Sequence, residues 1–242
     1  MKQLLLLSGA ALLTTAAAKP DAVPAPSFKV GDSWVYEQSH QQGTQGFNQQ
    51  RLDIAIQRTG SETVVLGLKP DGVPMPFEEH VVGTDLSQRR IVDGKEEQTV
   101  RPLNFPMTVG ETWTVDFNDP TRRGQQASAH IHRTYKVIGW SDVVVPAGTF
   151  HAIEVESSGV DQAVIDVPNV ALGGAAASPE GATAISTSQR GGRRLLTTQF
   201  HSEMYYAPEV KNFVKSVEEQ YNTDGVLVSR DTRLLDAYHP AS

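Results

Sequence analysis

Apolar and polar residues alternate with a period of two along most of the chain, the pattern of strands with one buried face. Trp34 and Tyr36 share a face after the Gly31-Asp32 turn. Leu52, Ile54 and Ile56 alternate with Asp53, Ala55 and Gln57. Ile131, Arg133, Tyr135 and Val137 oppose His130, His132, Thr134 and Lys136. His151, Ile153 and Val155 point one way, and Ala152, Glu154 and Glu156 the other. Further strand patterns cover 64–68, 86–92, 96–100, 195–206, 212–221 and 226–238. No stretch carries the 3.6-residue period of an amphipathic helix. The spacing predicts an all-β chain of about ten to twelve antiparallel strands, as a curved sheet, an open half-barrel or a sandwich.

Turn chemistry supports this reading. Asp93-Gly94 and Asn222-Thr223-Asp224-Gly225 are hairpin signals. Val145-Pro146-Ala147-Gly148 has the proline and glycine placement of a type I turn. Pro70, Pro74 and Pro76 make 70–76 a loop, since a central strand cannot spare the amides. Residues 19–27 carry three prolines and read as an irregular lead-in, and 41–49 reads as a polar loop. Residues 168–192 are rich in Gly, Ala, Ser and Thr and poor in large apolar side chains. On composition they form a long mobile loop inside the β domain of 28–242.

One block recurs. Val30 and Val109, Trp34 and Trp113, Gly60 and Gly139, and Val64 and Val143 are each 79 positions apart (113 − 34 = 79). The constant offset points to a duplicated unit, with halves at about 28–68 and 107–156.

Residues 1–18 have the layout of a secretory signal peptide. Lys2 supplies the positive start, 4–13 the short apolar run, and Ala16-Ala17-Ala18 the small-residue cleavage site. The run is too short to span a bilayer, which takes roughly 20 apolar residues. The chain has no cysteine. That removes disulfides, thiolate metal sites, thiol nucleophiles and a lipoprotein-type cleavage cysteine together. Formal charge is −7, or −8 once Lys2 leaves with the leader (−7 − 1 = −8). This argues against nucleic acid as a partner, and against binding anionic membrane through bulk charge. The expectation is a periplasmic or secreted protein that does not span the membrane after cleavage.

Catalytic motifs are missing. No serine lies in a Gly-x-Ser-x-Gly elbow, and the Gly173-Gly174 and Gly191-Gly192 pairs lack the setting of a phosphate loop. Glu96-Glu97 and Glu218-Glu219 are adjacent, so on a strand each pair splits to opposite faces. They read as solvated charge, as do Arg89-Arg90, Arg122-Arg123 and Arg193-Arg194. His130-x-His132 is the metal candidate, because two imidazoles two residues apart share a strand face. His151 or His201 would complete such a site, although Thr134 and Lys136 mark that face as solvent-facing. His151 shares a face with Ile153 and Val155, as a core or rim histidine or as a polar group inside a half-barrel. The aromatic side chains suit a groove for a lipid chain or a sugar. The candidate ligand-binding set is Trp34, Trp113, Tyr135, His151 and Tyr205.

Three motifs together resemble a known group: Phe105-Pro106-Met107-x-Val109-Gly110-x-x-Trp113, Val145-Pro146-Ala147-Gly148-Thr149-Phe150-x-Ala152, and Tyr205-Tyr206-Ala207-Pro208-Glu209-Val210 through Val214-Lys215. The combination resembles the TapB-like family of exported bacterial β-rich proteins, over roughly 28–238. The resemblance implies a curved antiparallel sheet or open half-barrel. It supplies no catalytic residue and no cofactor. The long 168–192 segment departs from the short connection of that pattern.

The reading from sequence is a non-enzymatic periplasmic binding or interaction module. It holds an apolar or glycan envelope ligand, or an envelope protein, on a concave sheet. Two alternatives stay open. One is a metal-assisted hydrolase using His130 and His132. The other is a structural component of an envelope or pilus-type assembly.

Overall fold

The computed structural model describes residues 22–43, 46–92, 95–120, 126–177 and 183–241. The signal-peptide segment, the Asp93-Gly94 turn and Arg122-Arg123 lie outside the described residues. Twelve strands are described: β1 (Ser33–Gln42), β2 (Gly46–Thr59), β3 (Thr63–Pro70), β4 (Glu78–Gly83), β5 (Gln88–Val92), β6 (Lys95–Val100), β7 (Thr112–Asp119), β8 (Gln126–Val145), β9 (Gly148–Ala177), β10 (Thr183–Ala207), β11 (Asn212–Tyr221) and β12 (Leu227–His239). No helix occurs among the described residues, and so none is long and apolar enough to cross a membrane.

Ten strands form one antiparallel sheet in the order β4-β3-β2-β1-β12-β11-β10-β9-β8-β7. The two halves therefore share one continuous sheet. The chain builds β1 to β4 outward from the middle and crosses over through the separate β5-β6 hairpin. It then enters at the far edge with β7 and works back until β12 pairs with β1. The sheet curves on itself without closing. The amide of Ala147, at the β8-β9 turn, donates to the carbonyl of Leu235 on β12 at 3.0 Å, three strands away in the order.

Curvature gives the sheet an inner face, which holds two apolar clusters. One gathers Trp34, Ile54, Ile56, Val64, Val82, Val143, Val145, Val210, Val214 and Leu235. The other gathers Leu103, Met107, Val115, Phe117, Tyr135, Val137, Val155, Met204 and Tyr206. Most of these positions come from the period-two pattern of the strands, while Leu103, Met107 and Val210 are supplied by the connections. Burying a side chain of this size is worth about 2 kcal/mol.

The turns that start β1 and β7 are built alike. Gly31 and Gly110 take positive φ values of 98° and 87°, which glycine adopts without a Cβ penalty. Asp32 Oδ2 accepts the Lys29 amide at 2.8 Å, and Glu111 Oε2 accepts the Thr108 amide at 3.2 Å. The glycine amides then donate across the hairpin to Ile56 and Val137. Gly60 lies in the turn between β2 and β3, whereas Gly139 lies inside β8 beside a bulge.

Residues 168–177 and 183–192, expected as a loop, are paired strand in the backbone. The β9-β10 register runs from Tyr206↔Ile153 outward to Thr183↔Ala177, with a shift between Arg190 and Gly192. The compositional argument weighs side-chain burial alone. A backbone ladder already nucleated in the sheet extends by pairing amides and carbonyls, which asks little of side chains.

Candidate functional site

A cavity of about 230 Å³ opens on the inner face. Its floor is the curved sheet: Tyr36, Ile54, Leu66, Val82, Met204 and Phe213. Its roof is the crossover between the sheet edges, with Leu86, Val100 and Pro102. Leu86 holds a left-handed φ of 63° next to Asp85, whose carboxylate accepts the Ser87 amide at 3.1 Å. That Asx-type turn steers the crossover back over the sheet. Polar lining comes from Gln88, Asn212, Ser216, Glu218 and Arg233.

Tyr36 fixes one wall. Its hydroxyl donates to the Phe213 carbonyl at 2.6 Å, and burial pushes its pKa far above the ordinary phenol value. Around the rim, His40 Nδ1 lies 2.9 Å from Asp231 Oδ1. Further along the inner face, Arg133 Nε and Nη2 donate to Asp161 at 3.1 and 2.5 Å, with the guanidinium 3.4 Å from the Phe200 ring centroid. Burial alone would lower the Arg133 pKa, but Asp161 outweighs it and the cation is held. Ser157 and Ser202 share a buried hydrogen bond of 2.8 Å. The inner face is thus apolar at one end and polar at the other.

None of the five aromatic and histidine candidates lines this cavity. Trp34 is a core residue. Its Nε1 donates to the Val210 carbonyl at 2.7 Å and its ring stacks on Tyr238. Trp113 stacks on the buried Tyr135 at 5.3 Å between centroids and donates to the Arg101 carbonyl, so both serve the second apolar cluster. Tyr205 lies among acids. Its hydroxyl is 3.3 Å from both Glu154 and Glu203, and burial with the nearby carboxylates drives its pKa upward. Burial also raises the Glu154 pKa, against the lowering effect of the Tyr205 hydrogen bond.

His151 is exposed, not inward-facing. It pairs with Asp142 at 2.8 Å and stacks on Trp140. The β8 bulge between Val137 and Gly139 falls against Val155 and Glu154, so 151–153 stays in register; Ala152 and Ile153 are both buried, and His151, opposite Asp142, sits where that face meets solvent.

His130 and His132 do share a face, and Asp116 of β7 joins them. Asp116 Oδ1 lies 2.9 Å from His130 Nε2, and Oδ2 lies 2.8 Å from His132 Nδ1. These hydrogen bonds hold the Asp116 carboxyl below its ordinary pKa. Neither His151 nor His201 belongs to the group: they pair with Asp142 and Glu203. Among the described residues no set of three His, Asp or Glu side chains is arranged to hold a metal ion.

The residues missed from sequence are Tyr36, Leu66, Glu218 and Arg233. Glu218 and Glu219 do split to opposite faces, as adjacent strand residues must. Glu219 is tied to Arg230 and Tyr221 on one face, and Glu218 reaches the cavity on the other.

No protein-family model matches the chain, and no curated protein is similar to it. The resemblance to the TapB-like family gains no support from these comparisons. Two solved structures are similar in shape. One is a candidate lipoprotein from Parabacteroides distasonis, 13% identical, with a TM-score of 0.46, covering 90% of this chain and 100% of its own. The other is a candidate exported protein with a YmcC-like fold from Bacteroides fragilis, 13% identical, with a TM-score of 0.45 and the same coverage.

Proposed function

We propose that this chain is an exported, non-enzymatic binding module that holds the apolar part of a small amphiphile in the inner-face cavity. The observation that carries the reading is the cavity itself, an apolar floor and roof with polar groups gathered at one side. That is the usual make-up of a small-molecule site, where apolar walls give affinity and a few polar groups give orientation. The signal-type segment at 1–18 supports export.

The test is binding of octanol and of the fluorescent probe N-phenylnaphthylamine. The cavity should take up the probe, and octanol should displace it. Leu66→Trp fills the floor with an indole and should weaken probe binding at least tenfold, about 1.4 kcal/mol. Near-unchanged far-UV circular dichroism would show that the variant is folded. Wild-type affinity in folded Leu66→Trp would remove the cavity as the site.

A further inference from the structure

We infer that the ligand carries a zwitterionic head, read by Arg233 and Glu218 at the cavity. The inference rests on the cavity reading above and adds the class of head group.

Arg233 and Glu218 both line the cavity. Arg233 stands opposite Ser216 in the β11-β12 register, and Glu218 is two residues further along β11, opposite Asp231. They are thus diagonal neighbours on one face, with Cβ atoms about 7–8 Å apart in such a ladder. Their charges are opposite, yet they do not pair with each other. Among the described residues neither forms any ion pair. The contrast with the rest of the sheet is informative. Arg51, Arg58, Arg133 and Arg230 each bond a carboxylate directly. Asp231, the other acid near this rim, is engaged by His40. Glu219, next to Glu218, is engaged by Arg230 and Tyr221.

An arginine and a glutamate held on one face, neither in an ion pair although Glu218 feels the charge of Arg133 and Arg233 acts on Tyr36, present complementary charges to a guest. A fully anionic head would gain Arg233 but face Glu218. A fully cationic head would gain Glu218 but face Arg233. A head with one charge of each sign satisfies both. Arg233 takes the anionic group through its planar fork, the geometry that suits phosphate. Glu218 accepts hydrogen bonds from an ammonium. Ser216 and Asn212 add neutral hydrogen-bonding groups in the same lining. The apolar floor takes a short run of the chain, and the polar side takes the head.

The experiment is calorimetric titration of the full mature chain with two lysophospholipids below their micelle concentrations. Octanoyl lysophosphatidylethanolamine has a zwitterionic head, and octanoyl lysophosphatidylglycerol is its anionic counterpart. The expected result is at least tenfold tighter binding of the ethanolamine form. Glu218→Gln should abolish that preference, and Arg233→Gln should weaken both ligands. Equal binding of the two heads, or tighter binding of the glycerol form, overturns the inference. In that event displacement of N-phenylnaphthylamine by octanol, blocked by Leu66→Trp, still upholds the cavity. If octanol itself does not bind, the cavity reading falls and takes this inference with it. Both charge variants alter exposed side chains, so folding is expected to survive them.

Discussion

Asp32→Ala is expected to lower the melting temperature by roughly 6–12 °C, through a loss of about 3 kcal/mol. The side chain is fully buried at the start of β1. Its Oδ2 accepts the Lys29 amide at 2.8 Å and the Lys211 ammonium at 2.8 Å, and its Oδ1 accepts the Ala241 amide at 2.9 Å. One carboxylate thus ties the β1 turn, the β10-β11 turn and the last described residue into a single knot. Lys211 adopts a left-handed φ of 59° in that turn. Alanine would leave a cation and two amides without their acceptor, and the unmet partners cost more than the net worth of the bonds. Lys211 keeps about a quarter of its side chain in solvent, which tempers the charge penalty. Thermal denaturation followed by circular dichroism is the measurement.

The pH dependence follows from the same contacts. Burial pushes the Asp32 carboxyl upward, but Lys211 and the two backbone amides hold it below its ordinary value of 3.8. A lowered folded-state pKa means that the stabilisation is complete above the unfolded value and is lost as pH falls through the folded one. The gap between wild type and Asp32→Ala should therefore be full at neutral pH and shrink below about pH 4. A gap that stays constant down to pH 2 would show that Asp32 acts through packing and not through its charge.

Gly159→Ala is the second large effect, also expected to cost about 3 kcal/mol. Two terms compete. Replacing a strand glycine normally stabilises by about 0.4–1 kcal/mol through the unfolded chain. Here a Cβ would fall 2.0 Å from the His132 carbonyl oxygen, 2.7 Å from the Arg133 Cα and 3.0 Å from its Cγ. Two of those atoms are backbone, so β8 and β9 must separate where Arg133 pairs with Gly159. The steric term wins. Arg133 would leave its place against Phe200 and Asp161, and the inner polar strip would open. Trimming Arg133 to alanine should not rescue the variant, because the closest clash is with the main chain. Rescue by that second change would place the strain in the side chain instead.

Much of the fold was legible because strand patterns and turn residues are local. Val145 pairs with Gly148 as the Pro146-Ala147 turn requires, and the Asn222 side chain accepts the amides of Asp224 and Val226 in its turn. The cavity was not legible because it depends on which strands become neighbours. Arg233 reads as solvated charge until β12 lies between β1 and β11. The aromatic candidates lie away from this cavity for the opposite reason. Trp34 and Tyr36 do share a face, but only the smaller ring reaches the cavity, while the indole fills the core. His151 keeps the strand register of Ile153 and Val155, but that face opens to solvent beside Asp142, which the pattern of the strand alone does not show.

The seam between β1 and β12 sets a schedule. The strand that pairs with the beginning of the sheet is the last one made. A chain that emerges amino end first can form the β1 to β4 meander early, but the outer edge of β1 stays bare until β12 arrives. Nearly the whole chain must be made before the sheet can be completed, and such long-range pairing is slow. A polypeptide stopped short of Leu227 would keep that edge open, a ready template for adding foreign strands. Survival in the interval falls to whatever shields unpaired β edges.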